Sequence, residues 1–147
     1  MPHSLPEQRA SYPLAAYNFR VLLDAKALSF ARVSGLQREH QFVTYRHGLS
    51  CIEGELLAKY HIDKYVPVTL ERGSTIGASF LHEWLEQRSP RVLQIDLCDA
   101  SGTPVLAWRI ARAFAVKLTA PTFDARTNEV AIDSLEIMAA GISIVHL

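Results

Sequence analysis

Apolar and polar residues alternate along much of the chain, which predicts β-strands with one buried face. The first alternating segment starts at Tyr17, and its apolar face is formed by Tyr17, Phe19, Val21 and Leu23. The residues Asp24–Ala27 are enough to reverse the chain, after which Leu28 is expected opposite Leu23, and Phe30 opposite Val21. This segment is therefore predicted to be a hairpin.

A second hairpin is predicted between Val92 and Ile110, around the turn Asp99-Ala-Ser-Gly102. Glycine suits the left-handed backbone that such turns need. Pairing of Cys98 with Thr103 would place Asp96 on a solvent-facing side of the sheet. Three further short strands are expected at 113–118, 129–139 and 142–147.

One amphipathic helix is predicted before Ser89-Pro90, since the residue preceding a proline avoids the helical region. Its apolar stripe is formed by Phe80, Leu81, Trp84 and Leu85. The chain is thus expected to be mostly β with one α-helix, an antiparallel β-barrel or sandwich flanked by that helix. The aromatic residues expected to anchor the core are Phe19, Phe30, Trp84 and Trp108.

The segment Leu36–Arg46 alternates differently, because both of its faces carry polar side chains. Such a strand gains little from the core of its own chain and leaves an unpaired edge, so pairing with a neighbouring subunit is expected. The following loop, 47–57, has a glycine near each end and the apolar residues Leu49, Ile52, Leu56 and Leu57. It is predicted to be a contact loop.

Length and composition narrow the class of protein. At 147 residues the chain fits one domain, expected at 14–147 after a flexible, proline-containing arm at 1–13. Its 15 basic and 15 acidic residues balance, which argues against sequence-specific nucleic-acid binding. No apolar run approaches the roughly 20 residues that span a bilayer, so no membrane partner is expected.

No arrangement of residues in the sequence predicts a catalytic or metal-binding site. His47 and His61 flank Cys51, but no third ligand or orienting acid stands at a recognised spacing. We therefore expect no catalytic residue, no metal and no cofactor. Four arginines are expected on strand faces, either solvated or in ion pairs between subunits: Arg20, Arg46, Arg72 and Arg109.

Several short motifs occur in an order that carries more information than any one of them. They are Phe19-Arg-Val21, Val33-Ser-Gly-Leu36, Tyr45-Arg-His-Gly48, Val68-Thr-Leu-Glu-Arg-Gly73, Trp84-Leu85, Trp108 and Asn128-Glu-Val-Ala-Ile132. In this order they resemble the phage tail tube family, whose members form the inner tubes of contractile tails and contractile injection systems. The resemblance covers nearly all of the chain from Tyr12 onward.

This resemblance implies a structural subunit of a hexameric ring with a channel for cargo. The residues expected at the lumen-side, inter-subunit strand are Gln37, Arg38, Glu39, His40, Gln41 and Val43. Contact between rings is expected at the loop residues Leu49, Ile52, Leu56 and Leu57. The expected partners are further copies of the chain, neighbouring tube rings, and sheath, spike or baseplate proteins.

Two alternatives to a repeating tube subunit stay open. His47 stands where family members often carry an acidic residue, and the loop 49–60 departs from the usual short connection. These departures favour a specialised adaptor or initiator ring that joins tube to spike. A monomeric β-barrel that binds a small ligand is the alternative from another class. For the leading hypothesis, synthesis in the cytoplasm and incorporation into a virion or a released injection particle are expected.

Overall fold

The computed structural model describes residues 13–45, 56–61, 64–75 and 79–147. Within these ranges the chain is mostly β with one helix, which confirms the predicted fold class. No helix in the described ranges is long and apolar enough to cross a membrane. The elements in chain order are β1 (Phe19–Leu23), β2 (Lys26–Leu28), β3 (Arg32–Ser34), β4 (His40–Tyr45), β5 (Leu56–His61), β6 (Val66–Gly73), α1 (Ser79–Glu86), β7 (Arg91–Cys98), β8 (Pro104–Thr119) and β9 (Ile132–His146).

Seven of these strands form one antiparallel sheet, and the other two form a sheet of their own. The order across the large sheet is β2-β1-β7-β8-β9-β6-β3. The small sheet is the pair β4-β5, in register from His40 opposite His61 to Tyr45 opposite Leu56.

The two edge strands of the large sheet, β2 and β3, are joined by only three residues, 29–31. A chain extends by at most about 3.6 Å per residue, so the Cα atoms of Leu28 and Arg32 are within about 14 Å of each other. A flat seven-stranded sheet would separate its edges by roughly 29 Å, at about 4.8 Å per strand spacing. The sheet therefore curls strongly, although the described strands do not close it into a hydrogen-bonded barrel.

The concave side of the curled sheet holds the core, and α1 packs against it through β8. Leu81 and Trp84 of α1 are buried, while Phe80 and Leu85 pack partly buried at the edge of the cluster. These four residues are the stripe that the spacing predicts. The sheet contributes most of the remaining core side chains, from Val21, Leu23, Val66, Val68, Leu70, Leu93, Ile95, Ile110, Ala113, Ala115, Leu135, Ile137, Ala139 and Ile142.

Phe30, on the short connection between the sheet edges, is held by aromatic and cationic contacts. Its ring meets that of Phe80 edge to face, with centroids 6.4 Å apart. The guanidinium carbon of Arg72 lies 5.0 Å from the Phe80 centroid and 6.0 Å from that of Phe30. Cation–π contacts of this kind stabilise by about 0.5–2 kcal/mol. These contacts stabilise the packing of the connection 29–31 against β6, which carries Arg72, and against α1, which carries Phe80.

The strands β8 and β9 are longer than the sequence pattern predicts. The segment expected as a separate strand at 113–118 is the second half of β8, and those at 129–139 and 142–147 merge into β9. Gly141 does not end β9: it adopts φ +69°, and β9 keeps the same register with β8 on either side of it, at Ala140 and Ile142. A Cβ there would lie 2.8 Å from the Cβ of Ala111.

Both hairpins exist, but the predicted registers are wrong. In the first, Leu28 pairs with Val21 because Asp24 and Ala25 alone make the turn, at φ 49° and 68°. In the second, Cys98 pairs with Pro104, and Ile95 lies opposite Trp108. An irregularity between Leu97 and Cys98 shifts this pairing. Gly102 adopts φ +84°, the left-handed conformation expected of the turn glycine.

We predict that Ala25→Gly raises the free energy of unfolding by about 0.5–1 kcal/mol. The left-handed region is costly for a residue with a Cβ and open to glycine. Ala27→Gly is the matched control, since Ala27 is equally exposed but lies within β2. That change should lower the stability by about 0.5–1 kcal/mol. Urea unfolding measures both, and an equal loss in the two variants would contradict the left-handed turn.

Candidate assembly interface

A row of polar side chains crosses β1, β7 and β8 on the face opposite the core. Arg20 pairs in register with Asp96, and Gln94 with Arg109. The Nε of Arg20 donates to Asp96 Oδ2 at 2.7 Å, and Gln94 Nε2 donates to Asp96 Oδ1 at 2.7 Å. Arg109 Nε donates to Gln94 Oε1 at 3.3 Å. The four residues form one chain of hydrogen bonds, which we call the outer polar row.

Asp96 lies with Gln94 and Arg109 on the face opposite the core, as predicted, but it is wholly buried within this row, so its expected exposure to solvent is wrong. Arg20 covers it from the opposite position on β1, and Gln94 covers it from two residues earlier on β7. On its other side Ala107 lies opposite it on β8. A buried carboxylate needs a charge partner and filled hydrogen-bond sites, which Arg20 and Gln94 supply. The row holds two guanidinium groups and one carboxylate, and its outer surface is therefore positively charged.

An open cavity of about 740 Å³ lies at the end of the same face, where β7 turns into β8. It is mostly apolar. We call it the socket, and its walls include Leu14, Tyr17, Asn18, Cys98, Ala100 and Val105. Cys98 is a buried free thiol. Asn18, a wall residue of the socket, directly precedes β1, and Arg20 is two residues further along. Side chains two apart along a strand lie on the same face, so the outer polar row begins beside the socket.

At the other end of β8, the loop 120–131 presents apolar side chains to solvent. Phe123 is 84% exposed and Val130 is 77% exposed. Asp124 orders the loop by accepting hydrogen bonds from the backbone N–H of Arg126 at 3.0 Å and from its Nε at 3.2 Å. These bonds, the backbone one first, lower the pKa of Asp124. We call Phe123 and Val130 the knob.

The residues predicted for the lumen strand divide between β4 and the segment before it. Gln37, Arg38 and Glu39 precede β4. Gly35, at φ +94°, lies so close to Pro67 that a Cβ there would be 2.6 Å from the Pro67 carbonyl oxygen. Arg38 donates to the carbonyl of Ile142 on β9, and Glu39 lies 3.0 Å from Lys64 Nζ. His40, Gln41 and Val43 belong to β4, opposite His61, Tyr60 and Ala58 of β5.

The residues predicted for ring stacking are only partly within the described ranges. Leu49 and Ile52 lie outside them, as do His47 and Cys51. Leu56 and Leu57 open β5, where they pair with Tyr45 and Thr44. They are strand residues and not part of the predicted loop.

The four predicted core anchors contact the core to different extents. Trp84 lies in the core and is 1% exposed. Phe19, Phe30 and Trp108 are partly buried and pack against the core cluster from outside. No three His, Cys, Asp or Glu side chains cluster as metal ligands within the described part of the chain. The features of the described surface that could contact another protein are strand edges, the socket, the knob and the outer polar row.

Solved structures with this fold include the parts of contractile injection systems. The sheath–tube complex of an extracellular contractile injection system, PVC, in the extended state matches with TM-score 0.80 and 26% identity, over 99% of this chain and 100% of that one. The anti-feeding prophage cap, AFP tube terminating cap, matches with TM-score 0.78 and 28% identity, covering 93% of each chain. The PVC sheath/tube terminator in the extended state matches with TM-score 0.75 and 27% identity, over 92% of this chain and 98% of that one.

These similarities define the class as tail-tube-type structural subunits of contractile injection systems. The family model for T4-like virus tail tube protein gp19 matches residues 15–143, and the chain belongs to that family. The family resemblance is thus confirmed, and with it the expectation of a structural protein and not an enzyme. No curated protein sequence matches the chain.

We predict that Arg20→Ala lowers the free energy of unfolding by about 2–3 kcal/mol, because it leaves the Asp96 carboxylate buried without its charge partner. Arg91→Ala is the matched control. Arg91 Nε also lies 2.7 Å from a carboxylate, but that of Asp24 is 45% exposed. An exposed pair contributes about 0–1 kcal/mol. Urea unfolding of both variants tests this, and equal losses would argue against a special role for Asp96.

Proposed function

We propose that this chain forms homohexameric rings that stack into the inner tube of an extracellular contractile injection particle or phage tail. Cargo passes through the channel of the tube. Family membership and the similarity to a sheath–tube complex support this proposal. The chain is made in the cytoplasm and leaves the cell as part of the particle, with sheath, spike or baseplate proteins as its partners.

The separate β4-β5 sheet is the observation that carries the proposal. An isolated two-stranded sheet is marginally stable in water, and its outer edges are templates for another strand. In the described part of the chain, β4 and β5 pair only with each other. Pairing with a neighbouring copy would satisfy these edges.

The two longest strands add further open edges. Among the described strands, β8 pairs with β7 only up to Ala113, so β9 is the strand partner of its end at 114–119. Among the same strands, β9 pairs with β6 only up to Ala139, so β8 is the strand partner of its end at 140–146, where the Arg38 side chain donates to the Ile142 carbonyl. A closed ring of copies supplies a partner for such edges without leaving free ends.

The residues from Gln37 to Val43 are our candidates for the lumen side. Gln37, Arg38, Glu39 and His40 are exposed, and His40 is the first residue of β4. Exposed polar side chains at the open small sheet are suited to a water-filled channel. On this proposal the mechanism is passive, since the ring guides its cargo and performs no chemistry.

A second candidate is a specialised ring at an end of the tube, such as an adaptor between tube and spike. The similarity to a tube terminating cap and to a sheath/tube terminator favours it. Those matches have 28% and 27% identity, against 26% for the sheath–tube complex, whereas the TM-score is higher for the sheath–tube complex, at 0.80 against 0.78 and 0.75. A ring of this kind would form hexamers that do not polymerise alone.

The mass of the purified protein in solution, followed by negative-stain imaging, tests the proposal. A hexamer of the 16.4 kDa chain has a mass of about 98 kDa. Rings with a central hole, or hollow tubes, are the expected result, and rings that never stack would favour the end-ring candidate. A monodisperse monomer at high concentration, also in the presence of its sheath partner, would contradict the proposal.

We predict that the double variant Leu56→Asp, Leu57→Asp abolishes stacking of rings while the monomer stays folded. Leu56 and Leu57 follow each other in β5, where successive positions belong to opposite faces of the small sheet, so the double variant places a carboxylate at the contact whichever face forms it, and burying it would cost several kcal/mol. The control is Lys26→Asp, Ala27→Asp, which places two carboxylates on the exposed strand β2. Sedimentation of tubes and circular dichroism of monomers are the measurements. Unaltered tubes in the first variant would exclude Leu56 and Leu57 from the contact.

A further inference from the structure

The knob and the socket have complementary chemistry at opposite ends of one molecule. We infer that the knob of one copy, with Phe123 at its tip, occupies the socket of a neighbouring copy. This inference rests on the proposed tube function and names the contact that joins two subunits head to tail.

The knob is an apolar surface that the chain itself does not cover. Phe123 and Val130 are 84% and 77% exposed, and they belong to a loop that Asp124 orders through hydrogen bonds to Arg126 and Thr127. A large exposed aromatic residue on an ordered loop is typical of a contact surface. Burying one phenylalanine side chain is worth about a tenfold to hundredfold change in affinity.

The socket offers space for an apolar side chain. Its cavity of about 740 Å³ is lined by the apolar residues Leu14, Tyr17, Ala100 and Val105. Tyr17 is 81% exposed at its mouth. An aromatic ring from outside would remove this apolar surface from water.

The knob of a chain cannot reach the socket of the same chain. The socket adjoins Pro104, where β8 begins, and Phe123 follows its last residue, Thr119. A strand of 16 residues is about 50 Å long at roughly 3.3 Å per residue. A contact between different surfaces of identical copies is heterologous, and it produces a closed ring or a continuing stack.

The charges around the two features also match. The knob loop carries Arg126, whose side chain is 91% exposed, and the exposed Glu129. The socket is lined by Asp99, and Arg20 lies beside it on β1. Arg126, which also pairs with Asp124, is opposite in charge to Asp99, and Glu129 is opposite in charge to the outer polar row, in which Arg20 already pairs with Asp96. Such pairs fix orientation more than affinity.

The knob is too small to hold a dimer by itself. One phenylalanine and one valine bury a few hundred Å², whereas stable interfaces bury about 1,200–2,000 Å². The contact therefore belongs to an assembly in which other surfaces, including the open strand edges, contribute to the same interface. This is why the second copy, and not an unrelated partner, is the occupant that the observations favour.

The first test compares Phe123→Ala with Val92→Ala in the full chain. Val92 is a matched control, because it is 55% exposed and lies in neither the knob nor the socket. We expect Phe123→Ala to raise the concentration at which the protein assembles at least tenfold, with an unchanged melting temperature of the monomer. Val92→Ala should assemble like the wild type. Equal assembly by both variants would overturn the inference.

The second test asks directly whether the knob meets the socket. Thr122→Cys and Ala100→Cys place thiols beside Phe123 and in the socket wall, in a background with Cys51→Ser. The buried Cys98 is kept, because it lines the socket. A short bismaleimide applied to assembled protein should give a ladder of cross-linked chains, which Phe123→Ala should weaken. The control pair Thr122→Cys, Lys26→Cys should give none. A ladder that stops at six places the contact within the ring, and a longer one places it between rings.

Failure of this inference differs from failure of the proposed function. Wild-type protein that assembles, together with cysteine variants that assemble without a ladder, would overturn the knob-and-socket contact and leave the tube proposal intact. Wild-type protein that stays monomeric with its sheath partner would contradict both.

Discussion

The short connection between the two edges of the sheet is the constraint on which the rest of the structure depends. Only residues 29–31 separate β2 from β3, which lie at opposite ends of the seven-stranded order. The sheet has to curl to satisfy this link, and the curl creates the concave side that the core fills. Phe30, in the middle of the link, then packs with Phe80 and Arg72. The helix is held over the core by the same contacts.

Curling the sheet around a single core has a consequence for the strands that remain. The described β4 and β5 take no place in the large sheet, and the ends of β8 and β9 extend beyond their neighbours. Unpaired backbone groups along an edge favour the addition of another strand. Natural monomers usually shorten or cover such edges, and this chain keeps them long. These strand edges therefore favour pairing with a further strand from another copy of the chain.

The strands and the helix could be predicted from the sequence because burial of one face produces a period of two or 3.6 residues. The hairpin registers could not, because Asp24-Ala25 forms a two-residue turn without the glycine that normally signals one. Burial of Asp96 depends on Arg20, 76 residues away in sequence, and a local polar pattern looks the same whether or not such a partner covers it. The socket is equally invisible in the sequence, since it arises from the segments 13–18 and 98–105, which meet only in the folded chain. The knob lies within one loop, and the exposure of Phe123 and Val130 depends on the fold and not on the local pattern.

Strand pairing and side-chain contacts contribute differently to an assembly of identical subunits. Backbone hydrogen bonds along an edge are much the same at every residue, so a polar edge specifies its register only weakly and two copies can slip past each other. An aromatic side chain that fits one cavity has a single position, and charges of opposite sign beside it exclude the reversed orientation. A subunit with long open edges therefore needs a second, localised contact to assemble in one way. The knob lies at the end of β8 and the socket at its beginning, so they are too far apart to meet within one chain. Both are mainly apolar, which is what such a contact between two copies requires.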